Sequence, residues 1–225
     1  MTQEDKKAFI TFMVRSGVLT FGDFVTKSGR NTPYFINTGN YGTGAQAAKL
    51  GEFYAQCIHD QIGKVDVLFG PAYKGIPLAT ATAISLQNIY KQDVGYCFNR
   101  KEAKDHGEGG KLVGCKLKDD DRVIITEDVI TAGTSVRETL PILQEQAKVK
   151  IAGLIVSVDR MEKGMHGKTA VQELYEDLGI RTYPLVTVKD VITCLHGVEI
   201  DGKVIIDDKM KERMENYRKQ YCADA

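Results

Sequence analysis

Glu127 and Asp128 stand side by side at the end of an unbroken apolar run, Val123-Ile124-Ile125, and Thr131-Ala132-Gly133-Thr134-Ser135 follows them. Ionised carboxylates only accept hydrogen bonds, so an adjacent pair suits the hydroxyls of a sugar. A turn of small, hydroxylated residues that opens a helix can aim backbone N–H groups at an anion. One segment therefore offers a grip for a sugar and a cradle for a phosphate. The β-branched run has the character of a strand buried on both faces, the habit of parallel sheets, and ligands of such sheets bind at the carboxyl edge where the acids fall. The plainer reading is a strand ending in solvated acids, with Thr134 or Ser135 as an ordinary helix cap. Two other phosphate motifs are excluded. Gly109-Gly110-Lys111-Leu112 lacks the spacing and the hydroxyl of a Walker loop, and Gly39-Asn40-Tyr41-Gly42-Thr43-Gly44 reverses the dinucleotide order.

Four further segments could add to the same site. Gly70-Pro71-Ala72-Tyr73-Lys74-Gly75 follows the apolar Val67-Leu68-Phe69, so it too is delivered to a strand's carboxyl end, where its amides could meet a diphosphate and Lys74 would add a point charge. On its own this is weak, because Gly-Pro turns after strands are common. The stretch from Asn99 to Lys111 gathers Arg100, Lys101, Lys104, Lys111 and His106 among small residues with no apolar anchor. Alone it reads as a solvated surface hairpin. Beside a phosphate site it could close over a departing diphosphate, neutralise developing charge and exclude water. Lys27-Ser28-Gly29-Arg30, followed by Tyr34-Phe35, offers cations and an aromatic shelf to a planar anion, against the duller alternative of a core aromatic pair with a solvated lysine. Arg160, at the end of the apolar run from Ile151 to Val158, could fork onto a carbonyl or carboxylate.

The segments from Phe24 to Gly39, Gly70 to Pro77, Asn99 to Gly110, Val123 to Ser135 and Asp159 to Gly164, in this order, resemble the orotate phosphoribosyltransferase family of type I phosphoribosyltransferases. The resemblance implies an α/β, Rossmann-like type I phosphoribosyltransferase fold: a central, mainly parallel sheet flanked by helices, with an N-terminal substrate hood. It implies transfer of the phosphoribosyl group from 5-phospho-α-D-ribose 1-diphosphate to orotate, and a homodimer with shared active sites. Catalytic roles are implied for Lys101, Lys104, His106 and Asp128, with Lys101 and His106 reaching across the dimer. Donor contacts are implied for Lys27, Tyr73, Lys74, Arg100, Lys101, Lys104, His106, Glu127, Asp128, Val129, Ile130, Thr131, Ala132, Gly133, Thr134 and Ser135. Orotate contacts are implied for Lys27, Tyr34, Phe35, Thr131 and Arg160. The protein would ligate no metal directly, since Mg2+ would arrive on the diphosphate. A non-proline cis bond is implied between Ala72 and Tyr73. Glu127 replaces the Asp often first in the family's acidic pair, and Lys163 stands where the family often has Arg.

Alternating apolar runs and amphipathic stretches agree with an α/β sheet protein. Helices are expected over 3–16, 45–62, 76–90, 134–148 and 169–178, with a kink or restart at Pro141. Strands are expected over 65–69, 94–98, 123–126, 151–158 and 183–187, and strand-like pieces with a charged terminal helix over 193–221. One domain is expected, the hood largely 1–64, the core largely 65–190 and a C-terminal extension 191–225. The 225 residues, 43% of them hydrophobic, suffice for a substantial core. Thirty basic residues balance thirty acidic ones, which leaves no electrostatic footprint for nucleic acid or a membrane surface. Five scattered cysteines without Cys-x-x-Cys spacing argue against a disulfide framework or zinc site and suggest a reduced, cytoplasmic setting. No apolar run approaches a membrane span of about 18 residues, and the charged start leads into no signal-like core. Two alternatives stay open: a phosphoribosyltransferase for another base, and a non-catalytic regulator that senses the same donor while binding nucleic acid.

Overall fold

The β-branched run beginning at Val123 becomes the central strand of a six-stranded sheet in the computed structural model, which describes residues 1–26, 29–101, 111–130, 133–164 and 167–223. In chain order the elements are α1 (Gln3–Arg15), β1 (Leu19–Val25), β2 (Asn31–Ile36), a 3₁₀ turn (Thr38–Asn40), α2 (Gly44–Cys57) with a π-helical turn (Ile58–Ile62), β3 (Val67–Phe69), α3 (Gly75–Tyr90), β4 (Gly95–Asn99) and β5 (Leu112–Gly114). There follow β6 (Arg122–Val129), α4 (Thr134–Gln144), β7 (Lys150–Asp159), α5 (Ala170–Leu178), β8 (Thr182–Thr187), α6 (Val188–Leu195), the short pair β9 (Glu199–Ile200) and β10 (Lys203–Val204), and α7 (Asp208–Tyr221).

The sheet runs β5-β4-β3-β6-β7-β8, parallel except for the antiparallel edge strand β5. Because β3 pairs with β4 on one side and β6 on the other, the chain reverses its direction of winding between β3 and β6. The crevice at such a reversal, outside the carboxyl ends of the strands, is where ligands of open α/β sheets bind. The loops that leave β3 and β6 are those beginning at Gly70 and Ile130, two of the segments that sequence alone offers to phosphates.

Alternation along the strands divides the core. Leu68, Ile124 and Ile155 face a layer built by α1, α2, α3, α6 and α7 with the β1–β2 hairpin. Val67, Phe69, Val123, Ile125, Leu154 and Val156 face α4 and α5. Successive strand side chains point to opposite faces, so the continuous apolar run fills both layers. Thr2, Thr43, Thr169 and Thr187 each start a helix with a reciprocal capping box, which satisfies amides that would otherwise be orphaned.

The fold departs from the sequence reading at the short edge strand β5, where no strand was expected, and in three further places. Leu19–Val25 and Asn31–Ile36 pair as an antiparallel hairpin, again where no strand was expected. Its signal is blurred because a bulge between Phe21 and Phe24 breaks the alternation. Thr193, expected in a strand-like piece, lies in α6, where Val188, Val191, Ile192 and Leu195 make a buried helical stripe behind the Thr187–Asp190 box. Packing of that stripe overrides the β-branched composition. Finally, α4 passes through Pro141 without a restart, and Glu145 N–H reaches the Pro141 carbonyl at 2.9 Å. No helix among the described residues is long and apolar enough to cross a membrane.

Candidate active site

Strand β6 is held at the switch by pairing with β3 and β7, and by the buried hydroxyl of Thr126, which donates to the Phe69 carbonyl at 3.2 Å. Its last residues carry the two acids, and the strand's period of two sends them to opposite faces. Glu127 turns toward α4. Burial raises its pKa above the usual carboxylate value, and a hydrogen bond from Ser135 opposes that shift. Asp128 turns toward the hood. Its Oδ1 accepts the Val129 N–H at 2.8 Å, while Oδ2 accepts the Thr38 hydroxyl at 2.5 Å and the Lys74 ammonium at 3.0 Å. A ligand seated on the strand end can meet one acid from each side.

Below Glu127 a cavity of about 170 Å³ is lined by Val129, Ile130, Gly133, Thr134, Ser135 and Val136 among others. Gly133 is the residue before α4 and adopts φ +68°, and a Cβ there would come within 3.0 Å of the Leu174 side chain. Left-handed backbone and the close helix both favour glycine. Unlike α1, α2, α5 and α6, helix α4 has no side-chain cap, so its first N–H groups are left to other acceptors. Neither Thr134 nor Ser135 is the ordinary cap of the plainer reading; Ser135 serves Glu127 instead. Thr131 and Ala132 lie outside the described residues.

The loop after β3 packs at the same edge. Gly70 admits no side chain, since a Cβ would sit 2.1 Å from the Gly75 carbonyl oxygen. The Ala72–Tyr73 bond is cis, as the resemblance implies. Asn99, at the end of β4, accepts the Ala72 N–H at 2.9 Å and so ties the loop to the neighbouring strand. Tyr73 is 65% exposed, with the Lys101 ammonium 5.0 Å from its ring centroid in the same chain. Arg100 N–H bonds the Lys111 carbonyl at 2.9 Å, which fastens the base of the basic segment. Lys104 and His106, with the rest of 102–110, lie outside the described residues, as does Lys27.

The hairpin supplies the aromatic pair in an unequal way. Phe35 is 40% exposed and stacks on Phe24 at 5.5 Å, whereas Tyr34 is 1% exposed and belongs to the core. The Tyr34 side chain is therefore no open shelf; strand alternation puts only one of two successive rings outside. Its hydroxyl has no hydrogen-bond partner among the described residues, and burial holds its pKa well above the ordinary phenol value. Over that ring, at 4.9 Å, lies the guanidinium of Arg160. Arg160 turns its fork on Glu162, with contacts of 2.8 and 2.5 Å to one oxygen, and the same oxygen accepts the Tyr217 hydroxyl at 2.7 Å. An incoming carboxylate would meet an arginine already paired. Beside it, burial raises the pKa of Asp159, partly offset by the Met161 N–H that its carboxylate accepts.

Sequence reasoning passed over four positions that build this edge: Thr38, Asn99, Glu162 and Tyr54. The Tyr54 hydroxyl, wholly buried on α2, donates to the Glu127 carbonyl at 2.6 Å and lies 2.8 Å from Ser157 Oγ. Nothing in the helical pattern around Tyr54 distinguishes it from a core aromatic.

A parallel sheet with its acids at the β3–β6 switch and an uncapped helix behind them is the arrangement of a phosphoribosyl transferase domain, and the family model of that description matches residues 37–178. An orotate phosphoribosyltransferase of Clostridium acetobutylicum is 58% identical over 220 residues, covering 97% of this chain and 98% of the relative. One from Vibrio cholerae is 47% identical, with 96% and 97% covered. A solved orotate phosphoribosyltransferase from Francisella tularensis superimposes with a TM-score of 0.82 at 36% identity, covering 96% of each chain. The chain belongs to the orotate phosphoribosyltransferase family.

Proposed function

We infer that this chain transfers the 5-phosphoribosyl group from 5-phospho-α-D-ribose 1-diphosphate to orotate, releasing diphosphate and giving orotidine 5′-phosphate. The observation that carries this reading is the meeting, at one sheet edge, of both acids, the Gly70–Lys74 loop and the uncapped start of α4 in a member of this family. The 5-phosphate would seat on residues 129–135, where α4 adds its positive end. Glu127 and Asp128 would take the ribose hydroxyls from the two faces of β6. Tyr73 and Lys74 would receive the diphosphate, and the basic residues Arg100, Lys101, Lys104 and His106 would close over it.

Little covalent chemistry falls to the protein. As diphosphate leaves, the sugar carbon becomes cation-like, so rate enhancement comes from orientation, charge stabilisation and exclusion of water. Among the described residues no group of three or more His, Cys, Asp or Glu is gathered to hold a metal ion. The two acids nevertheless suit a cation brought in by the donor, meeting it through the ribose hydroxyls they accept. Mg2+ bound to the diphosphate would neutralise the leaving group. Orotate would lie against Phe35 and near Arg160, with Lys27 and Thr131 completing its surroundings and the hairpin acting as a hood. We further propose a homodimer in which Lys101 and His106 serve the neighbouring site.

Diphosphate release measured with orotate, uracil, adenine and hypoxanthine tests the reading. Turnover with orotate alone supports it, and preference for a purine would overturn it.

A further inference from the structure

The Asp128 carboxylate is held by the protein from two directions, and one of the two holders stands outside the acidic segment altogether. Thr38 begins the 3₁₀ turn after the hood hairpin, with Asn37 as its cap accepting the Gly39 N–H. Its hydroxyl crosses 90 residues of sequence to donate to Asp128 Oδ2, and the Lys74 ammonium donates to the same hydroxyl at 3.1 Å. Thr38, Lys74 and Asp128 line one cavity of about 200 Å³ with Tyr41, Leu50 and Leu78.

Counting lone pairs separates the roles of these bonds. A carboxylate offers about four acceptor sites, two per oxygen. On Oδ1 one is filled by the backbone N–H of Val129; on Oδ2 one is filled by Thr38 and the other by Lys74. The Val129 and Thr38 bonds come from groups fixed in a strand end and a capped turn. Lys74 is a flexible side chain, 60% exposed, and its bond is the exchangeable one. With one fixed bond on each oxygen the carboxylate plane is set before any ligand arrives. Departure of Lys74 opens the remaining site on Oδ2 while delivering a cation to the solvent side.

We propose that Thr38 is a positioning residue for the transferase reaction: its hydroxyl orients Asp128 Oδ2 for a ribose hydroxyl of the donor and keeps that oxygen open for exchange with Lys74. The inference rests on the assignment of Asp128 to the donor. It places one determinant of donor affinity in the hood, three residues from the exposed Phe35, and so ties the base side of the site to the sugar side.

The test is a cycle of Thr38→Val, Thr38→Ser, Asp128→Ala and the Thr38→Val/Asp128→Ala double variant, assayed with saturating orotate and Mg2+. Thr38→Val is expected to raise the donor KM about tenfold with little change in kcat or in orotate KM, and to lower the thermal midpoint by several degrees at most, because one charge-assisted hydrogen bond is removed at constant volume. Thr38→Ser, which keeps the hydroxyl, should return donor KM to within about twofold of the parent. Against Asp128→Ala the valine should add less than about twofold in kcat/KM for the donor, since residues acting through one group are not additive. A parental donor KM in Thr38→Val, or a defect that serine fails to rescue, or full additivity with Asp128→Ala, overturns the role of Thr38. A parental donor KM in Asp128→Ala overturns the assignment of Asp128 itself, and with it this inference.

Discussion

Replacing Asp128 by Asn removes one negative charge from the strand end and leaves its shape. In the wild-type chain Oδ2 faces both the Thr38 hydroxyl and the Lys74 ammonium, and the side chain is only 22% exposed. A charge-assisted hydrogen bond is worth about 1.5 to 3 kcal/mol. At about 1.4 kcal/mol per decade, its loss to the donor corresponds to roughly 10- to 150-fold in kcat/KM. The lower half of that range is expected, because the amide no longer binds Lys74 tightly and the donor is spared the work of displacing it. Stability should barely respond. The Lys74 side chain is 60% exposed, and such pairs contribute less than about 1 kcal/mol after solvent screening. In a chain of this length that is a shift of about 3 °C or less in thermal midpoint. Steady-state assays with the donor varied at saturating orotate and Mg2+, alongside a melting curve, separate the two effects. Near-parental kinetics would remove Asp128 from the donor site; a collapse of the melting transition would mean the acid is structural.

Orotate should be turned over at least about a hundredfold faster than uracil in kcat/KM, because uracil lacks the carboxylate for which Arg160 would exchange its Glu162 partner; equal turnover would defeat the assignment of Arg160. For Glu127, burial raises the folded pKa and the Ser135 hydroxyl lowers it, so the acid limb of donor kcat/KM should lie above the ordinary carboxylate range, and Ser135→Ala should move it higher. The matching stability effect has a definite sign. The folded chain holds this proton more tightly than the unfolded one, so stability falls as pH rises through the interval and is flat above the folded pKa. Glu127→Gln should accordingly melt no lower than the parent at neutral pH while losing activity, which melting curves at several pH values would check. Mixing Lys101→Ala with Asp128→Asn should recover activity toward one working site per heterodimer if Lys101 serves the neighbouring site. Verified subunit exchange without recovery would leave Lys101 with Tyr73 of its own chain, over whose ring it lies.

The sheet was legible because its strands announce themselves twice, by unbroken β-branched composition and by the small-residue loops that end them. Helices α1 to α5 were legible from apolar positions recurring at helical spacing. The β1–β2 hairpin was not, since its bulge scrambles the alternation on which a strand reading depends, and α6 was not, since eight residues are too few for a helical period to outweigh their β-branching. At the site, the acids and the phosphate-facing loops could be found because each is a local pattern whose chemistry does not depend on distant partners.

What stayed hidden has one physical character: it consists of contacts between groups far apart in sequence. Glu162 is one of several charges near a strand end, and the oxygen that holds Arg160 also accepts the Tyr217 hydroxyl, 55 residues away. Tyr54 and Asn99 look like a core ring and a strand-end amide until the fold brings them to Glu127 and Ala72. Even the acidic pair, adjacent in sequence, is divided by the strand's pleat so that Glu127 answers to α4 and Asp128 to the hood. Adjacency therefore supplied the chemistry of the pair, and only the fold supplies its division of labour: Glu127 is tuned by a hydroxyl on the phosphate side, Asp128 by a hydroxyl and an ammonium on the hood side. The consequence is that the two acids should fail differently, Glu127 variants through pH dependence and Asp128 variants through donor affinity at fixed pH.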